Sequence, residues 1–245
     1  MYRQEWLPGG GVAYTSREHG FQTDALRLAE FAFPKNGERV CDLGTGCGSI
    51  PLIWLSRGAQ VQVDGVDRQE EAVRLAQASV QTNGWQDCFC LWHQDWDHLS
   101  LPAGAYDRVV CNPPYFAAST GAQSPCPARR AARQEDSGQG MSGWIRAAAG
   151  LLHHGGRLCL CYRPERLTDL LTNLRGAGLE PKRLQWVQHR PDTPAWLLLC
   201  EARKGGRPGV QMEPVWLENP VCAKDLVHTG EPDGNGKERA ACPDI

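Results

Sequence analysis

"RVCDLGTGCGS", residues 39–49, decides how the rest of the chain is read. A short apolar run ending in Asp42 and Leu43 meets three glycines at 44, 46 and 48, and an apolar segment with helical character, "SIPLIWLSRG" (49–58), follows. Glycines between a strand and a helix let the backbone turn sharply and approach a ligand closely. The spacing is G-x-G-x-G. A dinucleotide fingerprint wants its third glycine at position 49, where this chain has Ser49, so the loop argues against a nicotinamide or flavin pyrophosphate. The next strand-like run, "VQVDGVD" (61–67), ends in Asp67, 19 residues past Gly48. A carboxylate there can accept hydrogen bonds from both hydroxyls of an adenosine ribose.

Outward from this loop, strand-like and helix-like runs alternate from Glu38 to about Cys200. Helices are predicted at 49–58, 70–84, 144–156 and 164–178, and strands at 39–44, 61–67, 88–92, 106–111 and 157–163, with "LQWVQ" and "AWLLLCEAR" closing the series. Such alternation implies a parallel sheet covered by helices on both faces. The first 35 residues read as an N-terminal extension ending in a helix, residues 36–217 as the main domain, and 218–245 as a disordered acidic tail. Thr23 and Asp24 either cap the helix of the extension or help to close a pocket.

Composition narrows the setting. The net charge is −2, with −3 of it in the tail, so any polyanion site must be a local patch. No apolar run approaches ~18–20 residues, and "MYRQEWLPGGG" lacks an apolar leader, which leads to the expectation of a cytoplasmic protein without membrane contact. The 11 cysteines include two C-x-C pairs, Cys88/Cys90 and Cys159/Cys161, but no C-x-x-C, so no metal site is expected. Both pairs lie in strand-like runs and are read as small buried core residues in a reducing compartment.

"DRVVCNPPYFAAS" (107–119) ends the fourth strand on an amide, two prolines and a tyrosine. Ligands in an open α/β sheet sit beyond the carboxyl ends of the strands, so Asn112 points toward the same crevice as the glycine loop. Pro113 and Pro114 fix their own φ, and Pro113 also restricts Asn112. The rigid turn makes the Asn112 amide oxygen and the Pro113 carbonyl oxygen fixed acceptors for the two hydrogens of one planar amino group. Binding both hydrogens draws that nitrogen toward tetrahedral geometry and frees its lone pair to attack a methyl sulfonium, while the oriented dipoles stabilise the positive charge that develops. Tyr115 can stack on a planar base, worth ~1–3 kcal/mol. Asn112, Pro113 and Tyr115 are thus the candidate catalytic residues, with Pro114 beside them at the substrate.

Asp42, "GTGCG" and Asp67 resemble the cofactor half of the Rossmann-like class I methyltransferases that use S-adenosylmethionine. The resemblance implies an α/β fold with a mostly parallel seven-stranded sheet and helices on both faces. It implies a cofactor site of Asp42, Gly44, Thr45, Gly46, Gly48 and Asp67, with Asp95 by the adenine (Asp97 competing for that place) and Asn112 also in contact. NPPY resembles the motif of methyltransferases acting on amino nitrogens: adenine, cytosine, or the glutamine amide of a protein release factor. From Gly20 to Leu217 the chain resembles the tRNA(Val) adenine-N(6)-methyltransferase family. The markers are "FQTDALRLAEFA", "NPPYF", "ARRAARQED" and "AWLLLCEARKGGRPGVQMEPVWL". That resemblance implies a tRNA partner and methylation of an adenine amine in the anticodon loop; the sequence does not fix the oligomeric state, and a monomer is favoured. The alternative is methylation of a glutamine amide in a protein, or of another RNA or DNA amino group. Arg129, Arg130 and Arg133 follow NPPY and are candidate phosphate contacts, as are the basic residues between Lys182 and Arg207.

Overall fold

The computed structural model describes residues 2–113 and 140–218. A hairpin of β1 (Arg3–Trp6) and β2 (Val12–Thr15) precedes α1 (Thr23–Phe31). The sequence reading found only the helix of this extension. Its missed signal was a run of turn residues, Pro8 to Gly11, between two short alternating segments. The hairpin is fastened to α3 (Glu70–Asn83) by side chains that complete its edge. Asn83 takes the Val12 N–H (2.8 Å) and gives its amide to the Val12 carbonyl (2.6 Å), and Ser79 Oγ takes the Tyr14 N–H (2.8 Å).

The main sheet contains β3 (Arg39–Leu43), β4 (Gln62–Asp67), β5 (Phe89–His93), β6 (Tyr106–Cys111), β7 (Leu152–Tyr162), β8 (Leu179–Gln188) and β9 (Leu197–Lys204). β10 (Gln211–Met212) and β11 (Trp216–Leu217) pair with the outer side of β8. The order is β10-β8-β9-β7-β6-β3-β4-β5, and β9 alone of the long strands runs antiparallel to its neighbours. This is the Rossmann-like methyltransferase architecture, with nine strands in place of the expected seven because two-residue strands extend one edge. The chain passes from β3 outward through β4 and β5, then returns to the other side of β3 with β6. That reversal opens a crevice at the carboxyl ends of β3 and β6, where a ligand finds no crossing connection in its way.

One face of the sheet is covered by α1, α2 (Ser49–Ser56) and part of α3, the other by α4 (Gly140–Leu151) and α5 (Leu167–Gly176). α2 is buried along its whole length, and Trp54 donates its Nε1 proton to the Ala29 carbonyl of α1 at 2.7 Å. In α4, Trp144, Ile145, Ala148 and Leu151 follow helical spacing onto the sheet.

Several boundaries shift from the sequence reading, α4 starting at Gly140 and not 144, and two of the shifts change how the chain is read. The helix predicted to reach 156 stops at Leu151, and 152–156 begin β7, where Leu152 pairs with Tyr106 of β6. The first glycine of "LLHHGG" comes at 155, so nothing local marks the end at Leu151, where pairing of Leu152 with Tyr106 takes over. Glu218, taken as the first residue of the tail, is buried and receives Nε of Arg27 at 3.1 Å. Cys159 and Cys161 are buried as expected, but Cys88 is half-buried and Cys90 exposed, because β5 is the open edge of the sheet. No helix among the described residues is long and apolar enough to cross a membrane.

Candidate active site

The crevice at the switch point is a cavity of about 270 Å³, near the ~300 Å³ lower end for small-molecule sites. Its floor is the loop after β3. Gly44 and Gly46 have φ of +82° and +57°, and a Cβ on either would meet no atom within 4 Å. The backbone therefore faces open space, in a conformation that an L side chain resists.

Asp67 ends β4 at the wall of this cavity. Its Oδ2 accepts the Gly46 N–H and its Oδ1 the Gln69 N–H, both at 2.8 Å. One carboxylate thus ties the glycine loop to the start of α3. Burial raises its pKa, and the two N–H donors and His19 pull it back. Each oxygen keeps a lone pair for a hydroxyl donor.

Gly44, Thr45, Gly46, Asp67, Asp95, Asn112 and Pro113 all line the cavity. Asp42 and Gly48 do not. Asp42 lies behind the loop, 1 % exposed, and takes the Thr45 hydroxyl proton on Oδ2 at 2.7 Å. Burial, with a smaller push from Asp67, lifts its pKa to about 7 despite that hydrogen bond. Gly48 is the N-cap of α2, where a Cβ would come within 3.3 Å of Ala76 and Phe89, so its role is close packing. Asp95 caps the short turn Trp96–His98 by accepting the Asp97 N–H, and Asp97 itself lies outside the lining. Pro114, Tyr115, Arg129, Arg130 and Arg133 lie outside the described residues.

The structure adds lining residues that the sequence reading did not find, apart from Asp24, whose role it left open. Glu18, His19 and Gln22, from the segment leading into α1, and Asp24, in its first turn, line the cavity. Gln22 is the N-cap of α1 and makes no side-chain cap; Asp24, in the first turn, is buried at the cavity, and its Oδ1 accepts the Ala25 N–H at 2.7 Å. Arg163, just past β7, and Trp96 complete the rim. Cys47 also lines the cavity, but burial pushes its thiol up to about 12, so it is uncharged and unsuited to nucleophilic work at neutral pH. Of the described residues, Glu18, His19 and Glu71 bring three possible metal-ligand atoms within 4.8 Å of one another, with Glu71 exposed.

Most of the basic residues between Lys182 and Arg207 already have partners within the chain, those of Arg183 and Lys204 partly buried and those of Lys182, Arg190 and Arg203 at the surface. Lys182 gives its ammonium to the Arg207 and Gly209 carbonyls, Lys204 to those of Ala149 and Leu152, and Arg183 pairs with Glu201. They hold strand ends together, a use that reduces what they can offer to phosphate.

The fold and its crevice define a Rossmann-like methyltransferase. Residues 25–168 match the methyltransferase small domain family. A tRNA1(Val) (adenine(37)-N6)-methyltransferase of Tolumonas auensis is 30% identical over 184 residues, 74% of this chain and 76% of that protein. A protein of the same description from Proteus mirabilis is 33% identical over 107 residues, 43% of this chain and 42% of its own. Among solved structures, one described as a predicted O-methyltransferase from Agrobacterium tumefaciens superposes with a TM-score of 0.64 at 21% identity, covering 80% of this chain and 87% of that one, a likeness of fold. This chain belongs to the methyltransferase small domain family and is an S-adenosylmethionine-dependent N-methyltransferase.

Proposed function

We propose that the chain methylates the exocyclic amine of an adenine in the anticodon loop of a tRNA. The observation that carries the reading is the shared cavity: Asn112 and Pro113 line the same space as the glycine loop and Asp67. The curated relatives' description supplies the substrate class. S-adenosylmethionine, when bound, supplies an electrophilic methyl group. The cradle fits it through the bare backbone at Gly44 and Gly46 and through Asp67, whose oxygens suit ribose hydroxyls. Thr45 keeps its hydroxyl on Asp42, which fixes the loop from behind. Asp95 stands at the adenine end.

The chemistry falls to Asn112 and Pro113. Their oxygens accept the two amine hydrogens, hold the nitrogen in line and stabilise the positive charge as the new bond forms. The nitrogen takes the methyl group as the methyl–sulfur bond breaks and the neutral thioether leaves, and the surplus proton, hydrogen-bonded to the two oxygens, passes to water, so no side chain of tuned pKa is required. Tyr115 is proposed to stack on the base, and Arg129, Arg130 and Arg133 to contact phosphates. An anticodon-loop base is partly unstacked already, which lowers the cost of turning it into the cavity. Such a substrate would place the enzyme in the cytoplasm.

The test is tritium transfer from labelled S-adenosylmethionine into total RNA and total protein, followed by nucleoside analysis. N(6)-methyladenosine as the new nucleoside supports the reading. Methylglutamine in protein with no methylated base would replace it with the amide of a protein as substrate, a planar NH₂ that the same two acceptors would hold.

A further inference from the structure

Parallel pairing of β6 with β7 brings Cys111 opposite Leu160, so the next residue of each strand, Asn112 and Cys161, meet at the edge of the cavity. The Cys161 thiol donates to Oδ1 of Asn112 at 3.1 Å. Cys161 itself is fully buried on the face that packs α1 and α2, the face it shares with Cys159 two residues earlier. The other member of the pair is bonded differently, with the Cys159 sulfur accepting a hydrogen bond from Nη1 of Arg108 at 3.2 Å.

An asparagine amide is nearly symmetric in shape and opposite in function at its two ends. Turned by 180° it presents an NH₂, a donor, to a substrate amine that also donates, and the site then repels what it should hold. Something must fix the rotation. A thiol suits this role because it is small enough for the interior and a weak donor. It can occupy one lone pair of the oxygen without depleting the other, which must stay basic enough to accept the amine proton. A charged donor in the same place would compete with the developing positive charge.

We propose that Cys161 is a positioning residue for the methyl transfer: its thiol proton fixes the Asn112 amide so that Oδ1 keeps an acceptor lone pair toward the cavity. The inference rests on Asn112 as acceptor of the substrate amine. It makes Cys161 a determinant of turnover and not of cofactor or substrate capture.

The experiment compares Cys161→Val, which removes the donor at similar size, with Cys161→Ser, which keeps one. Cys161→Ala is the donor-free variant if the valine fails to fold, and Cys200→Val, at another fully buried thiol, is the control for a core substitution. The donor-free variant should lose about tenfold in kcat, the scale of one neutral hydrogen bond, with KM for RNA and affinity for S-adenosylmethionine within about twofold of wild type. Cys161→Ser should recover most of the turnover, and Cys200→Val should lose little. Independently of any substrate, the Asn112 side-chain ¹⁵N–¹H₂ resonances, assigned by their loss in Asn112→Asp, should match wild type in Cys161→Ser and move or broaden in the donor-free variant. A donor-free variant with wild-type kcat and unmoved resonances overturns the proposal. So does a serine variant as slow as the valine with its amide resonances intact, which would make the role one of packing. If the wild type methylates no RNA, the substrate reading fails while the resonances still decide the role of Cys161.

Discussion

Near the amino ends of the strands, Arg108 gives Nε and Nη2 to the two oxygens of Glu38 and Nη1 to Cys159; the thiol in turn faces Glu201, and Glu201 meets Arg183. At the carboxyl ends, the glycine loop turns bare backbone to open space, and Asp42 behind it keeps one oxygen without a hydrogen-bond partner among the described residues. Both regions are buried and polar, and they differ in what their groups face. In the first, each charge meets an opposite charge or a thiol, with only Arg183 Nε lacking a partner among the described residues of this network, so removing one member strands another. Where bare backbone faces a cavity, a ligand can supply the missing partners. The same sheet thus separates its fixed framework from its working edge along the length of each strand.

The comparison breaks most visibly at Glu38. Glu38→Ala leaves the Arg108 guanidinium buried and unpaired and should cost about 3–5 kcal/mol in urea unfolding. Cofactor affinity in the folded fraction should be unchanged. Asn112→Ala should do the opposite: about 10²–10³-fold lower kcat, with unfolding midpoint and S-adenosylmethionine affinity nearly unaltered. A fully active Asn112→Ala would remove the amide from the mechanism under either substrate.

Two carboxylates at the working edge sharpen the contrast. Asp42 has its pKa raised by burial from the usual carboxylate range to about 7. Between those values the folded chain binds the proton and the unfolded chain does not, so this group's contribution falls as pH rises from about 4 to about 7, then levels. The slope is at most about 1.4 kcal/mol per pH unit, and Asp42→Asn should remove it from unfolding curves taken across that window. Asp67→Ala should weaken S-adenosylmethionine binding by about tenfold in calorimetry, through lost ribose bonds and a loosened Gly46. Unchanged affinity in a folded Asp67→Ala protein would remove Asp67 from the cofactor site.

What the sequence disclosed follows the same division. The working edge was readable because its signals are local: glycines at 44 and 46, the acid closing the next strand, and Asn112 before two prolines. The framework was not, because its partners are distant. Arg108 lies in a buried strand, and its partner Glu38 is 70 residues away. The start of β7 at Leu152 depends on Tyr106 in the same way. Asp42 and Gly48 were read as cofactor contacts from the motif. The motif carries spacing and not depth, and the structure puts one behind the loop and the other in a helix cap.

The contact between Arg27 and Glu218 spans 191 positions and is flanked by Trp216, whose ring lies 4.8 Å from the guanidinium. A ribosome delivers α1 early and its carboxylate partner near the end. Throughout that interval the first helix has no Glu218 for its arginine, and the two-residue strand carrying Trp216 does not yet exist. Until then Arg27 has only Glu30 of its own helix as a carboxylate partner among these contacts, and the Glu218 contact is completed after the long strands have been made, an order set by vectorial synthesis.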